Sequence, residues 1–456
     1  MKQFKILGVA LAAAMVVACG GGSDSPVVQA PAISFTSMVS FGDSLSDVGT
    51  YKVGVVAGLG GGTYSVNGIT GAIPSKNWTE LVATRIGVAA PCPAQTGLNS
   101  AAALGGPVSV TDFPACRNYA QGGARVTDPV GPGSASAPVN SPLGQLTVPI
   151  VTQIANHLAR VGSFSGTELV TVMAGGNDVL RLLDTLVAKA TAAGSQAFAS
   201  SLIGQLAAGA TNPATAAQAI GLALQTEAAR VGHTDQTVVG AAVGAAAVQP
   251  GNSAVASLAV YGPMVVTAQA AGAAAGSAYA KTNGAAEAVF PMGEAGKQLA
   301  SYIKTQIVGK GAKYVAVVNL PDVSSTPSAT SQSADTQGLI LNMVIYFNTL
   351  LASELAGTPG VHIVDTFTDL RSQIANPTSY GLTNVTTPAC NLNAPANGLA
   401  TSTTAENGTS LVCNANNLKA GDVSKYLFAD TVHPTPYSYK LLADLVNRNL
   451  TQVGWL

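Results

Sequence analysis

The chain has 456 residues, a formal net charge of −1 and only 9% charged residues, against roughly 25% in ordinary soluble domains. Its 21 Lys and Arg form no basic cluster, which argues against nucleic acid as a partner, because phosphate binding needs grouped cations. The length holds one large domain or two smaller ones, and the low charge with a mean hydropathy of +0.34 suits an exported protein working near a membrane.

At the start of the chain, Lys2 and Lys5 precede an apolar run over 6–17, too short to span a bilayer, and Val16-Val17-Ala18-Cys19 closes it with small residues before a cysteine. This pattern resembles a bacterial lipoprotein signal. The resemblance implies a signal peptide over 1–18, lipidation of Cys19, and a membrane partner reached through that N-terminal anchor. The competing readings are plain secretion with cleavage near Ala18 or a buried free thiol. Residues 19–32, rich in Gly, Ser and Pro, read as a flexible tether. The expected location is the bacterial cell envelope, anchored by lipid in the outer membrane, or the secreted fraction.

A strand is predicted over 33–41, and Gly42 ends it, so that Phe41-Gly42-Asp43-Ser44-Leu45-Ser46-Asp47 presents Ser44 at a strand end as a candidate nucleophile. An Asx or Ser turn is the plainer reading of the same residues. The glycine-rich run over 54–71 reads as a mobile surface loop, and it lacks the Lys and Ser/Thr spacing of a phosphate loop. Asn77 caps a predicted helix over 77–87 with Trp78, Leu81, Val82 and Ile86 on one face. Asn118-Tyr119-Ala120-Gln121-Gly122-Gly123-Ala124 reads as a strand end running into a glycine turn, where a bare backbone N–H can approach a substrate oxygen.

A helix over 150–158 and a strand over 169–174 follow, delivering Gly175-Gly176-Asn177-Asp178 to the same sheet edge as Ser44 if the sheet is parallel. There Asn177 can offer its side-chain amide as a donor, or serve only as a turn or cap. An Ala-rich helical insertion extends over 180–300, with no charged residue over 236–280. Pro250 and Pro263 interrupt it, so helical hairpins packed against the rest of the chain are expected and not a membrane span. Such an insertion either caps a cleft or forms a structural subdomain. Strands over 314–319 and 361–364 flank a helix over 336–355, and this alternation predicts an α/β fold with a doubly wound parallel sheet.

Near the end, Asp430-Thr431-Val432-His433 places a carboxylate three residues from an imidazole, close enough to orient it while the other ring nitrogen takes a proton from a hydroxyl. Of the four histidines, His157 falls in a helical pattern, His362 in a strand and His233 in a polar turn. Cys92, Cys116, Cys390 and Cys413 remain besides Cys19. Their clustering suggests two local disulfides, Cys92 with Cys116 and Cys390 with Cys413, out of three formal connectivities, with metal binding as the competing reading.

With four motifs in order, at Phe41–Asp47, Asn118–Ala124, Ala174–Asp178 and Asp430–Pro434, the sequence resembles the GDSL family of serine esterases and lipases, the SGNH hydrolases. The resemblance implies a flavodoxin-like SGNH hydrolase domain over 33–456 that includes the insertion. It implies Ser44 as nucleophile, Asp430 and His433 as the rest of a triad, and Gly123 and Asn177 as oxyanion-hole donors. No metal or organic cofactor is implied, and the partner is an ester or lipid substrate. One departure is Thr50, where many relatives carry Asn. The expected activity is hydrolysis of carboxylic esters through an acyl-enzyme. The alternatives are a lipid acyltransferase using the same triad, and a non-enzymatic surface lipoprotein on a hydrolase scaffold.

Overall fold

Short buried runs form the strands of the parallel sheet, and alternation of their side chains decides which helix layer each face meets. The computed structural model describes residues 33–456, so the signal-like segment, Cys19 and the tether fall outside the described residues. In chain order the first elements are β1 (Met38–Gly42), α1 (Gly54–Gly58), α2 (Trp78–Arg85), β2 (Gln95–Leu98), β3 (Val108–Asp112), α3 (Ile150–Val161) and β4 (Leu169–Met173). Helices α4 (Gly176–Ala207), α5 (Pro213–Ala228), α6 (Asp235–Ala247), α7 (Leu258–Gly284) and α8 (Phe290–Tyr302) follow. The chain ends with β5 (Tyr314–Val318), α9 (Pro327–Thr330), α10 (Ala334–Leu355), β6 (Val361–Val364), α11 (Thr366–Ala375) and α12 (Pro436–Gln452).

Strands β1, β4, β5 and β6 form one parallel sheet in the spatial order β1-β4-β5-β6. Val170, Val172, Val315 and Val317 point to one side, into a cluster with Ile154 of α3, Leu299 of α8 and Phe347 of α10. Their neighbours Leu169, Met173, Ala316 and Val318 point to the other, against Trp78 of α2 and Tyr439 and Val446 of α12. Both faces are therefore covered, as a parallel sheet requires. On the open side of β1, Asn118 makes a parallel bridge to Ser40. Counting that segment, the order is the 2-1-3-4-5 of flavodoxin-like doubly wound folds, whose direction reverses between β1 and β4. The crevice beyond the carboxyl ends of those two strands is where such a fold places a site.

Several expectations are corrected. Pairing of β1 begins only at Met38, opposite Leu169, so the strand is shorter than 33–41. The strand expected at Asn118 reduces to single bridges, to Ser40 on one side and to Pro93 on the other, because the glycine turn follows at once. The glycine-rich run is no mobile loop: Val56, Tyr64 and Val66 are buried, and Asn67 donates to the carbonyls of Thr63, Ser65 and Cys413. Glycine serves close approach here, since a Cβ on Gly61 would lie 2.1 Å from the Leu411 oxygen. Trp78 is fully buried against the sheet and does not line a cleft.

The insertion is built on an antiparallel pair of long helices. Gln205 donates to the Met264 carbonyl, Gly194 meets Gly272, and Lys189 pairs with Glu287, so α4 and α7 run in opposite directions. Leu202 and Leu206 of α4, Ile220 and Leu224 of α5, Val243 of α6 and Ala268 of α7 form a separate apolar cluster around this pair. By length and composition, the helical stretches Leu258–Lys310 and Ala334–Leu355 could cross a membrane, but α10 is built into the sheet-facing core through Met343, Phe347 and Leu351.

Both expected disulfides are present, Cys92–Cys116 and Cys390–Cys413. The first lies two residues before Asn118. The second fastens the strap that carries Ser410 to the segment hydrogen-bonded at Ala429, where Cys390 donates to the Ala429 carbonyl.

Candidate active site

Three loops meet beyond the carboxyl ends of the strands. Gly42 closes β1 and releases the turn that carries Ser44, while the chain leaving β4 enters α4 at Gly176 with Asn177 in its first turn. From the other end of the sequence, the loop before α12 brings Asp430 and His433. Ser44 Oγ lies 2.9 Å from His433 Nε2, and His433 Nδ1 lies 2.8 Å from Asp430 Oδ2. All three sequence-predicted members of the triad are thus in hydrogen-bonding sequence, although Ser44 and His433 are 389 residues apart.

The Asp430 carboxylate is buried and densely solvated by protein. Its Oδ1 accepts from the N–H groups of Val432 and His433, and its Oδ2 from the Ser410 N–H. Burial alone would raise its pKa, but the neighbouring His433 and these donors outweigh burial and hold the carboxyl well below the ordinary range. It therefore stays charged and keeps a proton on His433 Nδ1, leaving Nε2 as the acceptor that faces Ser44. The Tyr64 ring packs against His433 with centroids 4.8 Å apart, and Gln145 donates from its side chain to the Tyr64 hydroxyl.

Gly123 and Asn177 share the same cleft with Ser44. Gly123 has φ +79°, and a Cβ there would sit 2.2 Å from the Pro132 oxygen, so only glycine fits without rebuilding the turn. Asn177 donates one amide N–H to the Ala124 carbonyl at 2.8 Å, which fixes the side chain and leaves its second N–H for a ligand. Its position in the first turn of α4 adds the positive end of a helix to the same point.

Residues that sequence reasoning did not assign hold this arrangement together. Asp47 accepts from Gly49, Thr50 and Gly122 N–H groups, tying the loop that carries Ser44 to the residue before Gly123. Thr50, the departure from the family pattern, contributes that N–H and also donates its hydroxyl to the Ala120 carbonyl at 3.1 Å. Asp178 accepts from Arg125 and from the Val126 N–H, which anchors the turn beyond Gly123. Burial pushes the Asp43 carboxyl up to about 7, against the lowering effects of the Leu45 N–H and of His433. Asp47 and Asp178 stood in the quoted motifs, whereas Tyr64 and Gln145 carried no local signal.

The remaining histidines are structural. His157 is buried against Phe41, Tyr119 and Phe164, and burial lowers its pKa to about 4. His362 Nε2 meets Asn449 Oδ1, and His233 is an exposed turn residue bonded to the Arg230 carbonyl.

The family model of the GDSL-like lipase/acylhydrolases matches residues 38–276, just over half of the chain. The chain belongs to this family. No curated protein matches it. The match covers Ser44, Gly123 and Asn177 of this GDSL-like hydrolase but ends before Asp430 and His433, whose place beside Ser44 rests on the geometry above. Within the family, acylhydrolase chemistry at the cleft needs donors aimed at a developing oxyanion. Asn177→Ala is accordingly expected to lower kcat on a p-nitrophenyl ester by roughly 100- to 1000-fold. An unchanged kcat would reduce Asn177 to a residue that only braces Ala124.

The cleft has a volume of about 250 Å³ and apolar walls that include Leu45, Leu180, Leu320, Pro321, Val323 and Val432. From the insertion only Leu180 reaches it. Of the two alternatives for the insertion, the structural subdomain is the one its own apolar cluster supports.

Proposed function

We propose that this GDSL-like hydrolase cleaves carboxylic esters through an acyl-enzyme on Ser44. The observation that carries the reading is the continuous chain from Asp430 Oδ2 through His433 to Ser44 Oγ, with links of 2.8 and 2.9 Å, opening onto an apolar cleft. His433 takes the Ser44 proton as Oγ attacks the ester carbonyl, and Asp430 stabilises the imidazolium that forms. The tetrahedral oxyanion is met by the N–H groups of Ser44 and Gly123 and by the Asn177 amide. His433 then protonates the leaving alcohol, and afterwards takes a proton from the water that clears the acyl group. Tyr64 limits rotation of the imidazole between the two proton transfers.

Purified protein assayed against p-nitrophenyl esters of graded chain length and against phospholipid vesicles should release acid from at least one class. Absence of Ser44-dependent turnover on every ester would refute the reading. Transfer of the acyl group to an added alcohol in preference to water would make the protein an acyltransferase with the same triad.

We further propose that the enzyme is held at a bacterial envelope membrane by lipid on Cys19, supported by the short apolar run and the tetrapeptide Val16-Val17-Ala18-Cys19. Mass spectrometry of the mature protein should find diacylglycerol on Cys19. A free amino terminus at another residue would overturn this.

A further inference from the structure

A second cavity lies next to the catalytic cleft, and neither the triad nor the oxyanion donors line it. Its volume is about 80 Å³, and it shares Leu45, Pro321, Thr326 and Val432 with the cleft. Two of these wall residues adjoin the triad in sequence: Leu45 follows the nucleophile and Val432 precedes the base. Beyond that shared wall the lining changes to Leu370, Leu427, Phe428 and Leu442, with Met173 from the end of β4. The polar side chains present do not reach for a ligand. Gln373 donates to Asp369 at 2.6 Å, Ser438 donates to the Leu427 carbonyl, and Thr366 donates to the Asn319 carbonyl. What remains open is mostly apolar wall, with the Asp369 carboxylate, which accepts from Gln373 and lies 3.9 Å from Arg448, as its charged member.

We propose that this chamber receives the distal part of the acyl chain, so that the enzyme prefers esters of medium to long unbranched fatty acids over acetyl esters. The inference rests on the reading of Ser44 as the acylated residue. With the carbonyl carbon at Ser44 Oγ and the oxygen turned toward Gly123 and Asn177, an alkyl chain entering the chamber would pass the wall that the two cavities share, at Leu45 and Val432. The competing path follows Leu180 and Val323 along the cleft. A single unbranched chain suits the first path, because the shared wall is formed by only four side chains and the space behind it is narrow. The walls beyond come from β4, α11, α12 and the loop before α12, and that loop also carries His433. Each methylene buried there and absent from the shorter ester should raise kcat/KM about fourfold.

The test compares kcat/KM for p-nitrophenyl esters from butyrate to dodecanoate in the wild type and in Leu370→Trp, whose indole would fill the chamber. Expected is a rise with chain length in the wild type, and in the variant a fall of at least about tenfold in the decanoate-to-butyrate ratio. An unchanged ratio in a variant with a native thermal transition would overturn the chamber. Should the variant fail to fold, the wild-type enzyme carrying an n-dodecyl phosphonate on Ser44 decides by crystallography. A chain passing between Leu45 and Val432 toward Leu370 and Phe428 supports the proposal, and a chain along Leu180 and Val323 overturns it. Failure of the underlying reading looks different: neither ester turnover nor phosphonate on Ser44 would be seen at any chain length.

Discussion

Replacing Ser44 or His433 by alanine is expected to lower ester turnover by several orders of magnitude while the protein still melts in a native transition. Ser44 Oγ has His433 Nε2 as its hydrogen-bond partner, so Ser44→Ala removes the nucleophile without stranding a buried group. His433→Ala removes the base but leaves Asp430 with the N–H donors of Ser410, Val432 and residue 433 itself, so the carboxylate remains solvated by protein. Because nucleophile and base act as one unit, each single change should cost on the order of 10⁶ in kcat, and the double variant little more. Strict additivity in the double variant would mean that the two side chains act independently, and turnover near the wild-type level in either would remove them from the reaction.

Asp430→Asn should lower kcat by about 10⁴ with a smaller change in KM, the cost of presenting the wrong imidazole tautomer. The carboxylate accepts from three backbone N–H groups besides His433 Nδ1. An asparagine has one acceptor oxygen and one donor nitrogen at those two positions. If its NH₂ takes the Oδ2 position, it faces both His433 Nδ1 and the Ser410 N–H: Nδ1 must accept, and the ring proton moves to Nε2, where it blocks removal of the Ser44 proton. If its NH₂ takes the Oδ1 position, the N–H groups of Val432 and His433 lose their acceptor, and each buried donor left unpaired costs about 1–3 kcal/mol of stability. Steady-state kinetics with thermal unfolding on the same preparation separates these outcomes. Wild-type kcat in Asp430→Asn would show that orientation of His433 does not depend on this carboxylate.

What could be read in the sequence was local along the chain. Asp430 and His433 are three residues apart and contact each other, Ser44 and Asn177 each follow closely on a short buried strand, and the two disulfides join cysteines 24 and 23 residues apart. What could not be read joins distant segments. Tyr64 meets His433 from a stretch whose glycines signal either mobility or close approach. Only the tertiary partners of Asn67 and Gly61 decide between the two. Asp47 reaches Gly122 across 75 residues, and no pattern in either motif announces that bond. The insertion resisted for another reason: alanine on every face of α4 to α7 erases the apolar stripe that would show which side packs. The second chamber is equally silent, since its walls come from β4, α11, α12 and the loop between them.

The most direct measurement is covalent labelling with a p-nitrophenyl alkyl phosphonate, followed by proteolysis and mass spectrometry of the peptides. One adduct per chain is expected, on Ser44, with stoichiometric release of p-nitrophenol and much slower reaction in His433→Ala. An adduct on another residue, or none while esters are still hydrolysed, would contradict the assignment of Ser44 as the acylated nucleophile.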